Sequence, residues 1–186
     1  MRLPFIMKML LCLAVLAQLL LPHVAAEIFW IYNTFTDGTN PTIKGQKFAF
    51  FHLDKYRPSC EEILNVHEIY PLADDASSDW VCACDGKGCL WDNRNPFEMD
   101  RFEWHASWGH YTYYKNRGGK FYDVIDREWG YCEPVTLYPP GNYTKCTWPH
   151  SAEPTSRLAA ATFRCNATVT MWTSSQAAAV GGGDGQ

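Results

Sequence analysis

The chain has 186 residues, 16 basic against 20 acidic side chains, a formal net charge of −4 and eight cysteines. An acidic balance with no Lys/Arg run disfavours a general nucleic-acid-binding role, because phosphate backbones are repelled. The length suits one domain with a real core.

The first residues read as an address. Arg2 and Lys8 precede an apolar run from Met9 to Leu21 that only Gln18 interrupts, and Val24-Ala25-Ala26 supplies the small residues a signal peptidase needs. That run is too short for the roughly 20 residues that span a bilayer. A secretory signal peptide over residues 1–26 is therefore expected, with Glu27 as the mature start. No further apolar stretch of spanning length or hydrophobic tail follows, so the sequence predicts a released protein with no membrane span. Without Arg2 and Lys8 the formal charge falls to −6.

Cys12 leaves with the leader, and Cys60, Cys82, Cys84, Cys89, Cys132, Cys146 and Cys165 remain. In an oxidising route they read as disulfides before metal ligands, with one thiol left over. Cys82 and Cys84 are too close in sequence to bridge each other readily and should reach different partners. Asn142-Tyr143-Thr144 and Asn166-Ala167-Thr168 are glycosylation acceptors, whereas Asn40 is followed by Pro41 and is not.

Along the chain, Glu27 to Phe35 is β-rich, 36–45 is a loop punctuated by Asp37-Gly38 and Asn40-Pro41, and Gln46 to Leu53 returns as a strand. Ser59 followed by Glu62 is a capping box, and Ile63, Leu64, Val66 and Ile69 recur at near-helical spacing, predicting a short helix over 59–70. Residues 74–96 read as a disulfide-tied loop. Phe97 to His105 and His110 to Lys115 read as strands. Asn116-Arg117-Gly118-Gly119 is the clearest turn, sending Lys120 to Ile125 back as a hairpin partner. A further turn is expected at Pro139 to Asn142, a last strand-like run at Leu158 to Trp172, and a flexible Ser/Ala/Gly tail at 173–186. The expectation is a mainly β domain over 27–172 with one short helix: a disulfide-stabilised antiparallel sheet or sandwich. Trp30, Trp80, Trp91, Trp104, Trp108, Trp129, Trp148 and Trp172 read mostly as core, with an exposed carbohydrate-binding row as the alternative.

Titratable residues are densest at Glu98, Asp100, Arg101, Glu103, His105 and His110. Period-two alternation puts Arg101, Glu103 and His105 on one strand face. A carboxylate, an imidazole and a guanidinium together could cleave a phosphodiester by acid-base catalysis, as small secreted ribonucleases do. A solvated face with cross-strand ion pairs explains the same spacing and is preferred. A zinc site at Cys82, Cys84 and Cys89 fits neither the compartment nor regular zinc spacing. His67-Glu68 lacks a second metalloprotease histidine, and no G-x-S-x-G elbow, phosphate loop or EF-hand occurs. No cofactor and no metal are expected.

The stretches Phe102-Glu103-Trp104-His105, Gly109 to Arg117, Tyr122-Asp123-Val124 and Gly130-Tyr131-Cys132, with Pro58-Ser59-Cys60 and the cysteines around Cys82, carry a resemblance. Over residues 48 to 135 the chain resembles small secreted cysteine-containing proteins of filamentous fungi, of the candidate effector type. The resemblance implies an extracellular protein that recognises a host or environmental partner, protein or glycan. It implies no catalytic residue, and the tail after Cys165 departs from it.

Overall fold

The structure, a computed structural model, describes residues 27–38, 45–51, 57–93, 95–135, 143–149 and 155–168. Among the described residues ten strands and one α-helix follow in order: β1 (Glu27–Asp37), β2 (Gly45–Phe51), α1 (Cys60–Leu64), β3 (Ile69–Ala73), β4 (Val81–Gly86) and β5 (Met99–Ala106). Then come β6 (Gly109–Tyr114), β7 (Lys120–Asp123), β8 (Glu128–Pro134), β9 (Thr144–Thr147) and β10 (Ser156–Ala167).

The sheet runs β1 to β8 in sequence order, continues to β10, and closes by pairing β10 with β1. The mainly β expectation holds, but the sheet is a closed barrel and not a sandwich. The β3–β4 pair is parallel, unlike the other ladders. Two-sided burial forces this closure. Phe29 and Ile31 of β1 point into the barrel, while Trp30 and Tyr32 point out into a second apolar layer with Phe51, Ile63 and Ala161.

β10 serves three neighbours. Its first residues, Ser156 to Ala159, pair with β9, its last, Phe163 to Ala167, pair with β8, and its whole length pairs with β1. A bulge opposite Ile31 and Tyr32 leaves Thr162 as the extra residue. An extra residue reverses the alternation of a strand. Ala159 and Ala161 accordingly lie in the outer layer, and Phe163 and Cys165 in the barrel. Thr162 is held there by the Asn33 N–H donating to its Oγ1 (3.1 Å) and the Val135 N–H donating to its carbonyl (2.9 Å).

The barrel is filled with rings. Trp104 is fully buried, with Phe29, Phe50, Phe102, Trp108, Tyr111 and Phe121 centred 5.6 to 6.4 Å from it. Such offset and edge contacts add to the area each ring buries. Among the tryptophans, Trp30 and Trp104 are core, Trp80 is 54% exposed, Trp91, Trp108, Trp129 and Trp148 are half-buried, and Trp172 lies outside the described residues. No exposed row of indoles forms among the described residues.

The capping box is present: Ser59 Oγ accepts from the Glu62 N–H (3.2 Å), and Glu62 Oε2 accepts from the Ser59 N–H (2.6 Å). The helix nevertheless ends at Leu64, not near Tyr70. Pro71 disfavours helical geometry at Tyr70, and Tyr70 gains more as a core residue of β3, opposite Phe48. Arg157 completes the short helix by donating to the Ile63 (2.7 Å) and Leu64 (3.3 Å) carbonyls. The expected loop over 74–96 is also corrected, since it contains β4. Phe97 sits in a 3₁₀ turn ahead of β5. The Asn116–Gly119 turn forms as expected, with Gly118 and Gly119 both at φ +74°, which glycine adopts without strain.

Disulfides join Cys60 to Cys146, Cys84 to Cys89 and Cys132 to Cys165. Among the described residues Cys82 is the free thiol, buried, and burial pushes its pKa well up, away from the reactive thiolate. The bridges close spans of 86, 33 and 5 residues. Chain-entropy arguments then rank them, in that order, at about 4.6, 3.7 and 2 kcal/mol. Pairwise Cys→Ser replacement followed by denaturant unfolding should reproduce that ranking; loss of Cys84–Cys89 as the most damaging would contradict it.

The β7–β8 hairpin is organised by Asp123. Burial alone would raise its pKa, but donation from the Trp129 indole (2.9 Å), from the Arg127 backbone and guanidinium, and from the Ile125 N–H outweighs this and holds it at about 2. An unfolded aspartate titrates near ~3.9. The folded value is depressed, so the stabilisation is complete above the unfolded pKa and is lost as pH falls towards about 2. A carboxyl NMR titration should find Asp123 still ionised at pH ~3, and Asp123→Asn should flatten the stability profile between pH ~4 and ~2; an ordinary titration midpoint would refute this.

Candidate functional site

From Arg101 onward alternation divides the side chains of β5, and an irregularity at Asp100 puts Met99 out of that phase. Met99, Phe102, Trp104 and Ala106 are buried, while Arg101, Glu103 and His105 lie on the outer surface at intermediate exposure. The shared strand face expected for the last three is present. The hairpin register adds His110, which lies directly opposite His105, with Thr112 opposite Glu103 and Tyr114 opposite Arg101. On the other side Val81, Ala83 and Asp85 of β4 face His105, Glu103 and Arg101.

These residues form one polar chain. His105 Nε2 lies 3.0 Å from Asp79 Oδ1, and its ring stacks on His110 at 4.6 Å and 14°. His110 Nε2 is 2.6 Å from Glu103 Oε1, Glu103 Oε2 is 3.7 Å from Arg101 Nη1, and Arg101 Nε is 2.8 Å from Asp85 Oδ2. All four residues of the acid-base set named from the sequence are therefore contiguous. Asp79 and Asp85, which close the two ends, were not. The signal for Asp85 was its period-two spacing from Val81 and Ala83 along a strand, hidden while 74–96 read as a loop.

The chain of contacts sets what this face can do. Glu103 and His110 can exchange a proton with a docked group. Arg101 is divided between two carboxylates, so its capacity to hold an anion is largely taken up. The side chains of Glu103 and His110 are only 18% and 21% exposed, which limits screening of their contact.

Two features border the polar chain. At the Arg101 end an open cavity of about 630 Å³ is lined by Asp85, Asp100, Arg101, Tyr114, Lys115 and Asn116. At the His105 end stands Trp80, in left-handed geometry at φ 69°. A bulky residue there costs roughly 1–3 kcal/mol. It is kept in place by its N–H donating to the His105 carbonyl (2.8 Å) and by packing on Tyr70 at 6.1 Å.

The other sequence candidates fall elsewhere. Glu98 is tied to Asn93 (2.8 Å) and Asn95 (3.1 Å). Cys84 and Cys89 are joined in a disulfide, which removes the zinc alternative for that group. Among the described residues no three His, Cys, Asp or Glu side chains are grouped to hold a metal. Asn166 stands on β10, its Nδ2 donating to Tyr131 Oη (3.2 Å), while Asn142 lies outside the described residues. Among the described residues no helix is long and apolar enough to cross a membrane.

No known protein family, characterised protein or solved structure matches this chain.

A double-mutant cycle with Glu103→Ala and His110→Ala should give a coupling of about 0.5–1.5 kcal/mol for their 2.6 Å contact. Additive single effects would dissolve the polar chain at its centre.

Proposed function

We propose that this protein is a secreted, disulfide-bonded glycoprotein of effector type. It acts by recognising an extracellular or host partner through the outer face of β4, β5 and β6. One observation carries the reading: the cross-tied run from Asp79 to Asp85, which immobilises six polar side chains on an accessible face beside an open cavity. Side chains ordered before binding lose little entropy on contact, so a surface so arranged suits specific recognition. The leader-like N-terminus, the disulfides and the two sequons support the extracellular setting.

A second reading has its own observation. Glu103 and His110 at 2.6 Å, with Arg101 next to them, are the groups a ribonuclease-like hydrolase needs. The sharing of Arg101 with Asp85 and Glu103 weighs against it.

A photo-crosslinking residue placed at Thr112, the centre of the face, should capture one discrete partner from extracellular fluid. The same probe at Lys145 on β9 should not, and Arg101→Glu should abolish capture. Purified protein should leave RNA and polysaccharides intact. RNA cleavage that disappears in His110→Ala would replace recognition with catalysis.

A further inference from the structure

We propose that the cavity beside Arg101 is a binding site for a neutral oligosaccharide. The inference rests on the recognition reading above and names the ligand class for one end of that face.

The volume of about 630 Å³ is within the range of about 300–1,000 Å³ usual for small-ligand sites. Its walls carry two carboxylates, Asp85 and Asp100, and two cations, Arg101 and Lys115, which balance in formal charge. That balance selects against ions. A phosphate or carboxylate ligand would meet Asp85 and Asp100, whose side chains are 60% and 71% exposed. A cationic ligand would meet Arg101 and Lys115. A polyol meets no such penalty, because each hydroxyl both donates and accepts. Its hydroxyls can donate to Asp85 and Asp100 and accept from Arg101, Lys115 and the Asn116 amide. Hydrogen bonds to charged partners are about twice as strong as neutral ones.

The polar groups are set before any ligand arrives. Arg101 Nε is 2.8 Å from Asp85, and Lys115 Nζ donates to the Phe97 carbonyl at 2.7 Å and lies 3.5 Å from Asp100. Each keeps further N–H donors for a ligand. Tyr114 contributes an aromatic wall. The Arg117 guanidinium sits 3.4 Å from the centre of the Tyr122 ring and 5.3 Å from that of Tyr114, which fixes the ring where it borders the cavity. A pyranose has one apolar C–H face and a rim of hydroxyls, and a fixed tyrosine flanked by Asp, Arg and Asn complements both. Arg117 is itself held by Asp126 (2.6 Å), so the wall is braced from the β7–β8 hairpin.

The test is calorimetric titration of the full secreted protein with neutral oligosaccharides: short β-glucan, chitin, mannan and xylan fragments. At least one should bind saturably, with affinity unchanged within about twofold between ~0.05 and ~0.5 M NaCl, since exposed ionic contacts would weaken as the Debye length shrinks. Tyr114→Ala and Asp100→Ala should each weaken binding roughly tenfold or more. Val124→Ser, at the hairpin tip away from the cavity, should leave it unchanged. Should Tyr114→Ala prove unstable by circular dichroism, Tyr114→Phe keeps the ring and should retain binding, while Asn116→Ala should lose it. Absence of saturation with every fragment overturns the proposal, as does undiminished binding in both Tyr114→Ala and Asp100→Ala. Binding only to acidic saccharides, collapsing with salt, also overturns it. Failure here with the Thr112 crosslink intact would discard the glycan and leave recognition by the face standing.

Discussion

Pairing of β1 with β10 is the constraint on which the rest of the molecule depends. An open sheet of this length would expose two edges of unpaired amides, and a barrel removes them. Closure requires β10 to lie along β1 for its whole length while also accepting β8 on its far side and β9 beyond that. A single uninterrupted alternation cannot satisfy these demands, because the two halves of β10 must bury opposite faces. The Thr162 bulge resolves the conflict by reversing the strand once. Cys132–Cys165 then ties β8 to β10 just past the bulge, between residues directly opposite in register.

Closure decides where chemistry can occur. The inward residues of β1, β2, β5, β6 and β7 are mostly large rings, and Trp104 packs among six rings, five from these strands and Trp108 from the β5–β6 turn. The interior is consequently packed and apolar at its centre. A charge placed there would be costly without a partner. The charged and imidazole side chains of β5 and β6 are thereby confined to the outer face, where alternation collects them into one band. The outer faces of β1, β2 and β10 have a different fate. Trp30, Tyr32 and Phe51 are covered by α1 and β9, and the Cys60–Cys146 bridge holds that cover in place. Among the described residues one side of the barrel is roofed and the β4–β6 face stays accessible, the face to which recognition is assigned in the proposal.

Much of this was legible in the sequence, and the failures have physical causes. Strict alternation in Arg101 to Ala106 displayed the strand, its buried rings and the shared face of Arg101, Glu103 and His105. Two adjacent glycines marked the β6–β7 turn. Cys82 and Cys84 do not bridge each other, as their spacing implies, but the expectation that Cys82 has a disulfide partner of its own is corrected: it is free and buried, while Cys84 is bridged to Cys89. The helix was overextended because Val66 and Ile69 match a helical period by chance, while a long-range pairing with β2 recruits Ile69 and Tyr70. β4 was missed because Val81-Cys82-Ala83-Cys84 is short, flanked by glycine and acid, and stable only between β3 and β5. Closure itself could not be read, because it depends on contacts between residues more than a hundred positions apart. Asp79 and Asp85 were lost with β4, and so was the completeness of the polar chain.

The same polar chain bears on why recognition is proposed ahead of hydrolysis on this face. A phosphodiesterase needs a cation free to meet the developing charge on phosphorus oxygens, and preorganised donors act best when nothing else occupies them. Arg101 instead sits between Asp85 and Glu103, and Lys115 between Asp100 and a backbone carbonyl. An incoming phosphate would have to displace carboxylates already in place, with three acidic side chains adding repulsion. A neutral ligand avoids that competition, because it can bond to the outward N–H groups and carboxylate oxygens without breaking any pair. Pairing that weakens a hydrolase makes a stiffer and more selective binding surface, and the stacked His105 and His110 rings extend that stiffness to Trp80 at the opposite end.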